Sequence, residues 1–281
     1  MVAVMRKAAM AAGVPTLLGM LAFPAAAAEP KPWQLGFQQP ASVGKEMLHG
    51  FHDMLLVIIT LITLFVLALL VYVMVKFNAK ANPKPSRTTH NTLIEVLWTV
   101  VPIVILVVIA VPSFRILYTL DKTTEAEMTI KVTGNQWFWN YGYPDHGNFA
   151  FDSLLLEGDD LKDKSKRLLE VDNRLVVPVD TAIRLTFHGN DVMHSWYVPA
   201  LGVQMYTVPG HVNETWMKVT RTGVFYGQCN QICGVRHGYM PIAIEVKSKA
   251  DFAAWVEQAK TKFAAAPLPA PKVMLAQAPA N

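Results

Sequence analysis

Residues 227–240 read Gly-Gln-Cys-Asn-Gln-Ile-Cys-Gly-Val-Arg-His-Gly-Tyr-Met, and this one loop decides how the rest of the chain is read. It places Cys229, Cys233, His237 and Met240 within twelve residues, between β-rich runs at 224–227 and 242–246. A second histidine, His194, lies 35 residues before Cys229 in the run Asp191-Val-Met-His-Ser-Trp-Tyr-Val-Pro199. Two thiolates, two imidazoles and a thioether favour copper over harder metals. A mononuclear blue-copper site uses one cysteine, two histidines and a weak methionine. Here a second cysteine stands four residues from the first. Two thiolates can bridge two coppers, each taking one imidazole, and charge shared by two metals asks for little ligand movement on reduction. Structural zinc is disfavoured, because His194 and His237 are too far apart to form the H-x3–5-H half of such a site. The chain has only 2 cysteines, too few for a disulfide framework. A single disulfide would leave His237 and Met240 without a task.

Outward from this loop the pattern is that of a small β-domain. Short β-rich runs occur at 128–132, 175–179, 182–187 and 212–219, punctuated by Gly134, Gly189-Asn190, Pro209-Gly210 and Gly223. Several short strands with Gly/Pro turns predict an antiparallel sandwich. The charged stretch 156–174 reads as a loop excursion. Residues 250–263 have helical spacing, with Phe252, Trp255, Val256 and Ala259 on one face. The Ala/Pro-rich tail, 265–281, reads as disordered.

The N-terminal half is a membrane sequence. Arg6 and Lys7 precede an apolar run at 8–23, then Pro24 and four alanines before Glu29, the pattern of a signal peptide over 1–28 cleaved near Ala28. Residues 54–75 are 22 positions without a charge, about 33 Å as a helix at ~1.5 Å per residue, enough to cross a bilayer. Residues 96–114 are another 19. Helices are expected at about 51–76 and 94–118 within a segment spanning 29–120. Lys76, Lys80, Lys84 and Arg87 mark the connection between them as cytoplasmic, which sends both chain ends to the other side. Residues 1–120 hold 9 Lys+Arg against 4 Asp+Glu, and residues 121–281 hold 16 against 17. The basic balance thus belongs to the membrane end, and no basic face suggests nucleic-acid binding.

The run GQCNQICGVRHGYMPI together with DVMHSWYVP resembles the CuA motif of the cytochrome c oxidase subunit II family. NTLIEVLWTVVPIVIL, VPSFRILYTLD and VTGNQWFWNYGYPD are similar to that family in the same order, so the resemblance spans about 51–246. It implies a two-helix transmembrane hairpin, a cupredoxin-like Greek-key β-sandwich over 121–248 carrying a dinuclear copper centre, and a short C-terminal helix over 249–264. It implies that His194 and Met240 serve one copper, that His237 and the backbone carbonyl of Gln231 serve the other, and that Cys229 and Cys233 bridge them. Trp137 corresponds to the tryptophan through which cytochrome c delivers electrons, and Glu95 to the carboxylate at a proton-pathway entrance. Asp145 and Asp191 correspond to donor-docking acids. The implied partners are subunit I, with heme a and a heme a3–CuB centre, and subunit III. The implied place is a bacterial inner membrane, with the N-terminus and the β-domain in the periplasm.

The family pattern breaks at three places. Gln231 stands where a glutamate usually reaches a Mg²⁺ shared with subunit I, and a neutral amide is a weaker ligand for a hard cation, so the resemblance does not carry Mg²⁺ over. Gln204, Tyr206 and His211 replace a lysine, an aspartate and an arginine. Gly142 and Gly147 stand where docking acids are common, which weakens steering of a basic donor. A heme-copper nitric oxide reductase with the same electron-entry site, or a membrane-anchored copper carrier, remain alternative readings of the same ligands.

Overall fold

A computed structural model describes residues 28–121 and 125–264. The signal peptide expected over residues 1–28 lies outside them except at Ala28, as does the tail at 265–281.

Helix α1 (Val43–Lys76) begins eight residues before the expected start. Its cap is Ser42, whose Oγ accepts from the Lys45 amide at 3.0 Å and donates to the Leu201 carbonyl. The cap satisfies an orphan helix donor and extends the helix through polar turns above the charge-free run. Helix α2 (Thr92–Asp121) contains Pro102 and Pro112. Asn91 Oδ1 accepts from the Ile94 amide, and Glu95 Oε1 accepts from the Asn91 amide, each at 3.2 Å. Apolar side chains point outward all around both helices; Leu61, Phe65 and Leu106 are more than 60% exposed. A helix apolar on every face is solvated by lipid rather than water.

Ten strands follow: β1 (Met128–Asn135), β2 (Phe138–Tyr143), β3 (Phe149–Ser153), β4 (Leu175–Pro178), β5 (Ala182–Gly189), β6 (His194–Val198), β7 (Val203–Thr207), β8 (Val212–Lys218), β9 (Gly223–Cys229) and β10 (Pro241–Lys247). They form two five-stranded sheets, ordered β3-β2-β1-β5-β8 and β4-β10-β9-β6-β7. The expected sandwich is therefore present, but not as a purely antiparallel one. β1 runs parallel to β5 (Met128 opposite Ile183) and β10 parallel to β4 (Ile244 opposite Leu175). Both pairs join strands distant in sequence, where no tight hairpin dictates direction.

The core between the sheets is aromatic. Trp139, Trp196, Tyr141, Tyr143, Phe187 and Phe225 are fully enclosed. Trp196 Nε1 donates to the Tyr141 hydroxyl at 3.2 Å, and the Tyr143 hydroxyl donates to the Val176 carbonyl at 2.8 Å, so the buried polar tips are paired. Helix α3 (Lys249–Phe263) buries Phe252, Val256 and Ala259 and stacks Phe263 on Phe151. The 154–174 excursion is pinned by Glu170, which receives two bonds from Arg174, at 2.9 and 2.6 Å, and one from the Tyr226 hydroxyl at 2.9 Å.

Hairpin and sandwich are joined directly. Thr215 Oγ1 donates to the Leu120 carbonyl at 3.2 Å, and Trp216 Nε1 donates to the Thr119 carbonyl at 2.8 Å. These are last-turn carbonyls of α2, which have no partner within the helix, so β8 caps the membrane helix. This sets the height of the β-domain over the bilayer.

Candidate metal centre

Three neighbouring strands deliver the candidate ligands to one end of the second sheet. β9 ends on Cys229, β6 begins on His194, and β10 begins immediately after Met240. Because β9 lies between β10 and β6, the loop 230–240 folds over the end of all three. Gly234 has φ +121°, and a Cβ there would lie 2.9 Å from the Trp137 ring, so the turn after Cys233 needs glycine on both counts. Gly134 packs under the imidazole: a Cβ would come within 2.9 Å of His194.

Cys233 is the hub. Its Sγ lies 3.8 Å from Cys229 Sγ, 3.6 Å from His237 Nδ1 and 3.6 Å from Met240 Sδ. Cys229 Sγ lies 3.4 Å from the Gln231 carbonyl oxygen. Ligand atoms of His194, Cys229 and Cys233 fall within 4.8 Å of one another. All six expected ligand positions therefore meet at one place. His194, Cys229, Cys233 and Met240 are buried, while His237 and Gln231 are half-buried.

The donor set fits copper by an independent observation. His194 Nε2 bonds Asp191 Oδ1 at 2.9 Å, leaving Nδ1 buried without a hydrogen-bond partner. A buried imidazole nitrogen left bare is costly unless something binds it. A soft cation at the thiolates supplies that partner. Burial raises the Cys229 thiol, but contact with the His194 ring and the backbone at Ser195 and Gln231 outweighs it and brings the thiol down to about 7. Burial and the charge on Cys229 push Cys233 up. One thiolate is thus available near neutrality, and thiolate is the form that binds metal.

The residues around the ligands form a connected shell. Trp137 Nε1 and Gln136 Nε2 both donate to the Cys233 carbonyl, at 3.2 and 2.9 Å. Trp139 Nε1 donates to the Met240 carbonyl at 3.2 Å. Asp191 is more engaged than a docking acid needs to be. Oδ1 also accepts from the Val192 amide and Oδ2 from the Gln136 amide, each at 2.6 Å. Burial works against its charge, yet these bonds and the one from His194 hold the carboxyl below the usual range. Asp145 Oδ2 accepts from the Thr129 amide at 2.6 Å, at the start of β1. Glu95 stands apart: about 40 Å of helix, at ~1.5 Å per residue, separates it from Asp121 at the β-domain end. Gln136 and the partnering role of Asp191 were not found by sequence reasoning. The Gln136 bonds carry no local signal, because they join groups 55 and 97 residues apart; the Asp191–His194 pair, three residues apart, was open to local reading.

Residues 30–116 match the family model described as the transmembrane domain of cytochrome c oxidase subunit II, and residues 128–247 match that of its periplasmic domain. A probable cytochrome c oxidase subunit 2 of Rickettsia bellii is 55% identical over 252 residues, covering 89% of this chain and 93% of the relative.

The chain belongs to the cytochrome c oxidase subunit II family.

Cytochrome c oxidase subunit 2 of Phytophthora megasperma is 44% identical over 232 residues, covering 81% of this chain and 87% of the relative. A solved periplasmic domain of cytochrome oxidase subunit II from Bradyrhizobium japonicum shares 51% identity, covering 50% of this chain and 99% of that one, with a TM-score of 0.48. As a subunit II, the chain is a membrane-anchored component of a heme-copper oxidase and works in complex with other oxidase subunits. The family resemblance read from the copper loop and the helix motifs is borne out, as is the fold of two apolar helices, a β-sandwich and a C-terminal helix.

Proposed function

We propose that this subunit takes electrons from a cytochrome c at a two-copper centre and hands them to heme a of subunit I. Subunit I, with its heme a3–CuB centre, and subunit III complete an oxidase that reduces dioxygen to water and pumps protons. The observation that carries this reading is the meeting of two thiols, two imidazoles, a thioether and a backbone carbonyl at the end of β9, with one imidazole nitrogen left bare. Bound there, a copper pair supplies a one-electron redox centre. Cys229 and Cys233 would bridge it, flanked by His194 with Met240 and by His237 with the Gln231 carbonyl. The chain's own part is to hold these groups in a fixed shell, so that gain or loss of an electron meets little reorganisation. An electron paramagnetic resonance spectrum of the copper-loaded chain tests the assignment. Hyperfine coupling to two equivalent copper nuclei is expected; a single-nucleus pattern would overturn it.

Trp137 is proposed as the entry point, because its indole is bonded directly to the carbonyl of Cys233. Replacing it with phenylalanine should slow electron entry at saturating donor about tenfold or more, a barrier change of ~1.4 kcal/mol, with the copper spectrum retained. Unchanged pre-steady-state reduction would remove Trp137 from the path.

The basic residues Lys80, Lys84 and Arg87 lie between the helices, at the end of the hairpin away from the sandwich. This supports a cytoplasmic connection and a periplasmic β-domain in a bacterial inner membrane. Glu95 lies at that cytoplasmic end, and we assign it to proton entry. Glu95→Gln should lower turnover and proton uptake while leaving the first, pre-steady-state electron transfer from cytochrome c to the copper site intact. Equal turnover in the variant would reduce Glu95 to its hydrogen bond with the Asn91 amide.

A further inference from the structure

The segment before α1 forms a strap with both ends fastened to the β-domain. At its first residue past the expected cleavage point, the Glu29 carboxylate pairs with Lys166 Nζ on the excursion between β3 and β4 of the β-domain. The Ala41 amide donates to the Ala200 carbonyl, and the Ala41 carbonyl accepts from the Thr220 amide, each at 2.9 Å. Between these ends the chain lies along α1. The Phe37 ring centroid is 3.9 Å from Lys45 Nζ, 6.1 Å from the His49 ring and 4.5 Å from the His52 ring, three residues on one helix stripe.

Phe37 therefore lies near the level of His49, about 10 Å of helix below the Ser42 cap at ~1.5 Å per residue. Ala41 is four Cα steps on from Phe37, a reach of at most ~14 Å. That limb runs toward the membrane along α1. The chain reverses beyond Phe37, where the Gln34 amide donates to the Lys31 carbonyl at 3.3 Å. The charge-free run of α1 begins at Met54, about 7 Å of helix below His49. The reversal carries two apolar side chains that nothing among the described residues covers: Trp33 is 96% exposed and Leu35 104%.

We propose that this strap is a lipid anchor, with Trp33 and Leu35 entering the headgroup–acyl boundary of the leaflet on the sandwich side. Three observations favour lipid over another subunit. The strap lies on α1 just above the charge-free run that lipid solvates. Tryptophan, with Lys31 beside it, is the chemistry of a membrane interface, where an amphipathic ring sits at headgroup depth and a cation meets phosphate. Trp33 and Leu35 also project from a turn rather than lining a groove, a shape suited to a deformable surface. The anchor fixes the strap from below as β8 fixes α2 from above.

The test is a nitroxide attached to Trp33→Cys or Leu35→Cys in the assembled oxidase, in vesicles of phosphatidylethanolamine and phosphatidylglycerol. An Asp159→Cys label, on the exposed excursion, gives the aqueous reference. The unsubstituted enzyme gives the labelling background; this chain's own two cysteines are 6% and 5% exposed. Lipid insertion predicts high collision with oxygen and several-fold lower collision with a water-soluble nickel chelate than at the reference. Exclusion of both quenchers would place the tip against another subunit, and nickel access equal to the reference would place it in water. Either result overturns the proposal.

Discussion

Replacing Cys233 by serine is expected to abolish the proposed two-copper site while leaving the sandwich folded. Its Sγ lies within 4 Å of three other candidate ligand atoms, those of Cys229, His237 and Met240. A serine oxygen is a hard donor of high pKa and does not bridge soft copper. The loss in copper affinity should exceed the ~10–100-fold typical of removing a mere supporting partner. The fold should tolerate the change, since the register of β9 on β10, Gly227 opposite Ile242, rests on main-chain bonds beyond the loop. An unfolding change in the ordinary range of about 0.5–3 kcal/mol is expected for the metal-free protein. Copper content and paramagnetic resonance check this together: the variant should hold one ion or none and show no coupling to a second nucleus. A Cys233→Ser chain that keeps two ions with an unaltered spectrum would mean that the bridge has been assigned to the wrong sulfur.

What the amino-acid sequence discloses here follows from how local each feature is. Cys229, His237 and Met240 are legible because one loop carries them, and ligand chemistry needs residue types at short spacing. The helices are legible because a charge-free run of twenty residues has few other uses. Their ends are less so: the start of α1 depends on Ser42, whose capping role shows only when its hydroxyl meets the Leu201 carbonyl 159 residues away. Strands β2, β3 and β6 escape a search for alternation for a related reason. Residues 139–143 of β2 are all buried, because one face meets the aromatic core and the other is covered as well. A strand buried on both faces does not alternate. Parallel pairing of β1 with β5 likewise depends on the path of the intervening chain, not on any run of residues.

Asp191 is where local reading and tertiary geometry part most clearly, and a substitution separates them. By the family resemblance, it is an acid for docking a basic donor. In the fold, one oxygen orients the His194 ring and the Val192 amide, and the other holds the Gln136 amide. It thereby joins the ligand imidazole to the segment that carries Trp137. A carboxylate that fixes the tautomer and plane of a metal-bound histidine is typically worth about 10–100-fold in metal affinity. We therefore expect Asp191→Ala to weaken copper binding by that factor in competition with a chelator, and to broaden the copper spectrum as the ring gains freedom. Asp191→Asn keeps one acceptor oxygen but turns an amide donor toward groups that themselves donate, so it should lie between the wild type and the alanine variant. A residue that served docking alone would give the opposite result: copper affinity and spectrum unchanged in both variants, with only the KM for the donor cytochrome and its salt dependence altered. The distinction matters for how the site works. If Asp191 holds ligand and entry tryptophan in one frame, the donor's electron reaches a centre whose geometry is set before docking begins, and the thinned acidic surface around it carries less of the task.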